Sequence, residues 1–306
     1  MKKPIYLDHN GTTPIAPEVA QAMQPFWESE FGNPSSGHAY GRVPREAVAN
    51  ARRQVADLLG CLPENVVFTS GGTEANNHAL KGILMAAHRG GHVITSAVEH
   101  PAVLEVCRFL DRFGIETTCL PVDEAGVVNP EAVKAAIRPD TVLISIMHAN
   151  NEVGTLEPID AIAAIARAHA IPLHTDAAQS VGKIATRVDD LGVDLLSVAG
   201  HKLYAPKGIG ALYVRPGLTL ENFCHGAGQE AGQRGGTENV ALIVALGQAC
   251  EIAARDLDRN RTQMLNLRDR LHNGLADGLT GVRLNGHPEK RLPNTLSVSF
   301  RGVAAD

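Results

Sequence analysis

The chain lacks several features that would assign it to whole classes of protein. It has no excess of basic charge: 28 Lys and Arg stand against 33 Asp and Glu, for a net charge of -5 with His neutral. That balance argues against a nucleic-acid partner, which a basic patch would attract. No run of five or more like charges marks an interaction tail. The start, Met1-Lys2-Lys3-Pro4-Ile5-Tyr6, has two lysines with no apolar signal stretch behind them. The longest strongly apolar run, Val240 to Leu246, is far too short to cross a bilayer, so no membrane partner is expected. Cysteine is sparse and odd in number. Cys61, Cys107, Cys119, Cys224 and Cys250 are scattered without CxxC spacing, which fits reduced thiols of the cytoplasm and neither a disulfide framework nor a zinc site. None of the 13 histidines pairs with Cys or an acid at ligand spacing, so no metal is expected. Internal repeats, low-complexity tracts and Gly/Ser linkers are missing as well.

At 306 residues, 44% of them hydrophobic, the chain is long enough for one large domain and a smaller one. Its middle alternates short β-type runs with helical patterns. Strands are expected at Val66–Thr69, Val93–Thr95, Ile115–Leu120, Thr141–Met147, Ile171–His174, Leu195–Val198 and Ala211–Val214. Helices are expected over Thr73–Ala87, Pro101–Phe113, Pro130–Ile137 and Pro158–Ala168. Such alternation implies crossover connections and a mostly parallel sheet flanked by helices, an α/β fold. From Ala253 to Leu279 the spacing of Met264, Leu265, Leu267, Leu271 and Leu275 reads as one long helix, followed by strands at Val282–Leu284 and Thr295–Phe300. The expected organisation is an N-terminal arm at 1–14, a large domain at 15–252 and a partial α+β small domain at 253–306.

The chemistry concentrates in a few turns. Gly200-His201-Lys202 supplies a lysine able to form a Schiff base, and Asp176, in His174-Thr175-Asp176-Ala177-Ala178-Gln179, supplies an acid able to hold a pyridinium nitrogen. Pyridoxal 5'-phosphate needs both, because its protonated ring is what draws electrons from a substrate carbon. An arbitrary lysine is a surface residue, but this one sits among the glycines of a backbone-exposing loop, Pro206-Lys207-Gly208-Ile209-Gly210 following it. Asp176 lies where a parallel sheet presents ligands, beyond a strand's carboxyl end; its alternative role is a helix N-cap. Gly71-Gly72-Thr73-Glu74 joins a strand to a helix start suited to phosphate, with Thr73 as an ordinary N-cap the alternative. His100, Asn151 and Gln179 also follow strands; an imidazole could stack on a pyridine ring, and the amides could hydrogen-bond its phenolic oxygen. A run at Gly226–Gly232 has the wrong spacing for a dinucleotide fingerprint.

These segments, together with Tyr6-Leu7-Asp8-His9-Asn10-Gly11-Thr12-Thr13-Pro14, Phe31-Gly32-Asn33-Pro34-Ser35-Ser36 and Arg234-Gly235-Gly236-Thr237-Glu238-Asn239, resemble the class V aminotransferase-like enzymes of fold type I. Within them the likeness is to cysteine desulfurases of the NifS/IscS kind, with motifs similar to selenocysteine lyases. The resemblance implies a homodimer that uses pyridoxal phosphate to turn L-cysteine into L-alanine plus enzyme-bound sulfur, or to act on selenocysteine, supplying a sulfur acceptor or an iron–sulfur scaffold protein. It implies that Lys202 carries the cofactor, Asp176 pairs with the ring nitrogen, His100 stacks on the ring, and Gln179 and Asn151 surround the phenolic oxygen. Gly72, Thr73 and His201 would hold the phosphate, with Thr237 reaching it from the other subunit. Ala199 stands where many relatives carry a serine phosphate ligand. In the family a cysteine on a mobile loop and a carboxylate-binding arginine lie downstream of the segment matching Leu296–Phe300. The chain is therefore expected to be a truncated desulfurase, inactive alone. The alternatives are a noncatalytic pyridoxal-phosphate-binding scaffold and an aminotransferase of the same fold.

Overall fold

A computed structural model describes residues 4–87 and 91–304. Its centre is a seven-stranded sheet built from β1 (Val66–Thr69), β2 (Gly91–Ser96), β3 (Ile115–Leu120), β4 (Thr141–Ser145), β5 (Leu173–Asp176), β6 (Leu195–Ala199) and β7 (Gly210–Val214). Their spatial order is β1-β7-β6-β5-β4-β2-β3. Neighbouring pairs from β6 to β3 are parallel; β7 runs antiparallel to both β6 and β1. The expectation of a mostly parallel α/β sheet is met. Because β7 reverses twice, β1 points the same way as β6, and the carboxyl ends of β1, β2, β4, β5 and β6 share one edge.

Burial follows position in the sheet. Strands β1, β5, β6 and β7 are buried along their whole length, whereas the edge strand β3 buries Ile115 and Leu120 and exposes much of what lies between. Side chains alternate between two cores, Val67 facing one and Val66 and Phe68 the other. Helices α3 (Gly72–Ala86) and α4 (Pro101–Asp111) cover the first. The other face is covered by α1 (Pro17–Glu28), α2 (Ala39–Leu59), α5 (Pro130–Ala136), α6 (Ile159–Ala168), α7 (Val188–Leu191) and α8 (Val240–Gly278). A small antiparallel pair, β8 (Val282–Leu284) and β9 (Val298–Phe300), stands apart.

Several expected bounds need correction: β4 ends at Ser145 and not Met147, β9 begins at Val298 and not Thr295, and α4 ends at Asp111 and not Phe113. Strand β5 runs two residues further than Ile171–His174, so Asp176 is the strand's last residue and does not follow it. The long helix starts at Val240, thirteen residues before Ala253. Its first turns, Val240 to Leu246, are apolar almost all round because α8 packs against both α1 and α2, which erases the 3.6-residue stripe that marks a half-exposed helix. The helix is continuous across residues 252 and 253. Among the described residues no helix is long and apolar enough to cross a membrane, and no cluster of three His, Cys, Asp or Glu could hold a metal.

Histidines serve the sheet instead. His174 on β5 bridges Ser145 on β4 (Nδ1 to Oγ, 2.8 Å) and Ser197 on β6 (Nε2 to Oγ, 3.0 Å). His92 on β2 bridges Thr141 and Thr118 in the same manner at 2.8 and 2.7 Å. Burial drives the His174 imidazole down to about 3, whereas an unfolded histidine titrates near ~6.5. Below pH ~6.5 the unfolded chain therefore binds a proton that the folded one refuses until about 3, and the stability present above that window is lost as pH falls through it. Urea titrations between pH 6.5 and 5 should show His174→Gln losing less stability per pH unit than the parent, by about 1 kcal/mol per unit. Parallel slopes would exclude a neutral buried His174.

Candidate active site

Five turns meet at the shared carboxyl edge. From β1 the chain passes through Gly71 into α3; from β2, through Glu99 to His100; from β4, to Asn150 and Asn151; from β5, Asp176 leads to Gln179; from β6, Gly200 leads to Lys202. Gly210, opening β7, locks the first turn against the last. A Cβ there would stand 2.7 Å from the carbonyl carbon of Gly71 and 2.4 Å from the Val198 oxygen. Only glycine permits that approach.

Asp176 is 6% exposed. One carboxylate oxygen accepts from Asn76 Nδ2 at 2.6 Å, the other from the Ala178 amide at 2.9 Å. No helix follows, so the N-cap alternative fails, and among the described residues no ion pair involves Asp176. At α3 the N-cap is Gly71, in an extended glycine conformation, and Thr73 lies exposed inside the first turn, which removes its alternative as N-cap. Ala75 is the first residue of this helix whose amide reaches a backbone carbonyl, that of Gly71 at 3.0 Å. The amides of Gly72, Thr73 and Glu74 are thus the orphan donors that an anion satisfies at a helix start. Ala199 packs against this turn, its methyl 3.1 Å from where a Cβ on Gly72 would stand.

Lys202 is held by main-chain oxygens. Nζ donates to the carbonyls of Asn10 and, at 2.9 Å, Gly11. Burial lowers its ammonium below the ordinary lysine value, with Asp8, Asp176 and Glu152 opposing the shift. His201 meets Thr12 Oγ1 at 3.1 Å and is lowered by burial and by the charges of Lys202, Lys207 and Lys183. Gln179 Nε2 donates to the same Asn10 carbonyl at 3.0 Å. His100 is the N-cap of α4, its Nδ1 accepting from the Ala102 amide at 3.0 Å, which leaves the proton of a neutral ring on Nε2. Asn151 donates to Glu152 Oε1 at 2.6 Å, and its carbonyl accepts from Asn10 Nδ2 at 3.1 Å.

Residues 5–306 match the family model for aminotransferase class V. The chain belongs to the class V aminotransferase family. Within this family it is 49% identical to the cysteine desulfurase IscS of Dictyoglomus turgidum, over 100% of this chain and 78% of that protein. It is 46% identical to the IscS of Methanosarcina thermophila, over 99% of this chain and 75% of that protein. Among solved structures, a NifS-like protein aligns with a TM-score of 0.95 at 38% identity, covering 98% of this chain and 83% of the other. SspA, solved in complex with cysteine, aligns at 0.89 and 40% identity, covering 97% and 84%. The family's fold is the pyridoxal-phosphate fold type I, and its cofactor is pyridoxal phosphate.

The donor set fits that cofactor. A buried carboxylate without a cationic partner suits a protonated ring nitrogen, orphan helix amides suit a phosphate, and a half-buried lysine stands on the adjoining strand end. Gly72, Thr73, His100, Asn151, Asp176, Gln179, His201 and Lys202 all lie on strand ends, turns or helix starts at the carboxyl edge. Thr237 is exposed and hydrogen-bonds none of them. Its segment is tied to the α3 start through Arg234, whose Nε donates to Glu74 at 2.8 Å. Three participants escaped the sequence reading: Asn76 beneath Asp176, Asn10 under Lys202, and Lys183, buried beside Gln179. Asn10 and Asn76 do fall within segments that carried the family resemblance, Asn76 near the end of Thr69–Asn77; nothing in the sequence marks Lys183.

Gly182 sets the turn after Gln179. Its φ is +74°, and a Cβ would stand 2.0 Å from Leu203 Cδ1, next to Lys202. Gly182→Ala should therefore cost about 2 kcal/mol or more in urea unfolding. A variant as stable as the parent would show that this turn does not brace the Lys202 loop.

Proposed function

We propose that the chain is a pyridoxal-phosphate-dependent cysteine desulfurase that takes L-cysteine to L-alanine and passes the sulfur to a thiol. The observation that carries this reading is the placement of Lys202 and Asp176 at the ends of adjacent parallel strands, with orphan amides across β7. When bound, the cofactor supplies an electron-withdrawing ring next to the substrate α-carbon. Lys202 would hold it covalently, and its lowered basicity leaves more of the amine free to take the α-proton at Nζ once substrate has displaced it. Asp176, fixed by Asn76 and the Ala178 amide, would keep the ring nitrogen protonated. His100 would stack on the ring, its Nδ1 held by the Ala102 amide. Gln179 and Asn151 would serve the phenolic oxygen, and Gly72, Thr73 and His201 the phosphate.

The exposed Thr237 supports the homodimer reading, in which this residue completes the phosphate site of a second subunit. Burial raises four of the protein's five thiols, Cys119 among them, which makes them poor sulfur acceptors. Burial pushes Cys61, Cys107 and Cys250 up to about 12, so each stays protonated. Cys224 donates to the Gly235 carbonyl at 3.6 Å. L-cysteine is favoured over selenocysteine because relatives at up to 49% identity are cysteine desulfurases. The onward acceptor in this reading is a protein thiol or an iron–sulfur scaffold, and the setting is the cytoplasm.

The test is cofactor loading followed by desalting and borohydride reduction. The expected outcome is a retained visible band, a pyridoxyl mass increment on the Lys202 peptide, and loss of both in Lys202→Ala. Asp176→Ala should weaken retention at least about tenfold. Incubation with L-cysteine and an added thiol tests the expectation that the chain is inactive alone: release of alanine would overturn that expectation, whereas amino transfer to a keto acid would place the chain among the aminotransferases. Retention of cofactor without either product is the outcome expected of a desulfurase inactive alone and of a noncatalytic scaffold alike, and no retention would defeat the reading.

A further inference from the structure

Lys183 is 5% exposed, yet it forms no ion pair with any described residue. Its one side-chain hydrogen bond runs from Nζ to Gln179 Oε1 at 3.2 Å. The Ser180–Ile184 turn presents it rigidly: the amides of Lys183 and Ile184 both reach the Ser180 carbonyl, at 3.0 and 3.1 Å, and Gly182 wedges the turn beneath Leu203. Burying an amine for one bond to a neutral amide is expensive. A methionine of similar volume would fill the space, so the donor itself calls for explanation.

The amide of Gln179 has two ends with opposite chemistry, and the environment must choose between them. Its outward end meets the Asn10 carbonyl, an oxygen that Lys202 also contacts. That outward partner is the one a ligand in the pocket would replace. The inward partner does not change, and an ammonium there, which has donors and no acceptor, selects Oε1. We propose that Lys183 is a positioning residue that locks the Gln179 side chain with Nε2 facing the pocket, keeping a donor there for an anionic ligand oxygen. This rests on the cofactor reading above for the identity of that oxygen. Burial, aided by the charge of Lys202, lowers Lys183 to about 7; the ammonium offers donors only, and the neutral amine keeps N–H donors toward Oε1 while gaining one lone pair.

The test uses the full chain with Lys183→Met, Gln179→Leu and the double variant, with Lys183→Gln held as a second substitution should the methionine variant fail to fold. In the cofactor-free parent, the Gln179 side-chain amide protons should give a dispersed, protected pair in a spectrum of glutamine-labelled protein. In Lys183→Met that pair should move toward the solvent position and exchange at least about tenfold faster. An unchanged pair would overturn the proposal. With pyridoxal phosphate as the probe, Lys183→Met should raise the Kd about tenfold and shift the pH midpoint of the visible band. Gln179→Leu should do the same, and the double variant should add nothing further. Full additivity would assign Lys183 a merely structural role. If the parent gives no visible band, the cofactor reading fails, while the amide spectrum still decides whether Lys183 orients Gln179.

Discussion

Everything at this site depends on direction within the sheet. Parallel strands bring their carboxyl ends to one edge, and one antiparallel strand, β7, would ordinarily break the series. Because β1 reverses again beyond β7, its outgoing turn rejoins that edge and brings the start of α3 with it. The phosphate-suited helix start and the lysine loop are therefore two strands apart in space although 130 residues separate Gly72 from Lys202. Gly210 secures the arrangement, since any larger residue would hold the two turns apart.

Polar saturation beneath the edge is the second requirement. Charged and amide groups buried at a strand end must be satisfied or they favour unfolding. Here most pair with one another: Asn76 serves Asp176, Lys183 serves Gln179, and the Asn10 main chain serves both Gln179 and Lys202, while Asn76 Oδ1 and Glu99 Oε2 stay buried without a partner among the described residues. The arm from Asn10 to Thr13 belongs to this scheme. It pairs with the lysine loop through Thr12 and His201, and through Thr13, which binds the His201 carbonyl and the Tyr204 amide. Deeper in the sheet the same rule turns His92 and His174 into cross-strand bridges.

Legibility in the sequence divides along physical lines. Lys202, Asp176 and the Gly71-Gly72 turn could be read because glycines and strand patterns mark where backbone turns at a sheet edge, and a titratable group there has little structural reason to exist. The small-residue start of α3 could be read as phosphate-suited for the same reason. Asn76 and Lys183 could not, since burial alone distinguishes them. Asn76 sits in a helix whose pattern calls for a buried residue but does not say which polar group it must meet, 100 positions away. Lys183, in Ser180-Val181-Gly182-Lys183-Ile184, reads as a solvated turn lysine. The start of α8 was illegible for the opposite reason: packed between α1 and α2, Val240 to Leu246 show no polar face to set the phase. His100 was read as a ring-stacking residue and does cap α4, a second role that fixes its tautomer.

Asn10 does one thing more. Its side chain donates to Thr295 Oγ1 at 2.9 Å and to the Asn151 carbonyl, and accepts from Asn294 Nδ2 at 3.0 Å, joining positions 285 residues apart. Contacts of such separation carry the largest loop-closure entropy and are the slowest to search. A growing polypeptide displays the sheet, the lysine loop and the phosphate turn long before residue 295 emerges. The clasp over the lysine is therefore among the last features to assemble, and the timing of synthesis separates an open cofactor cleft from a fastened one.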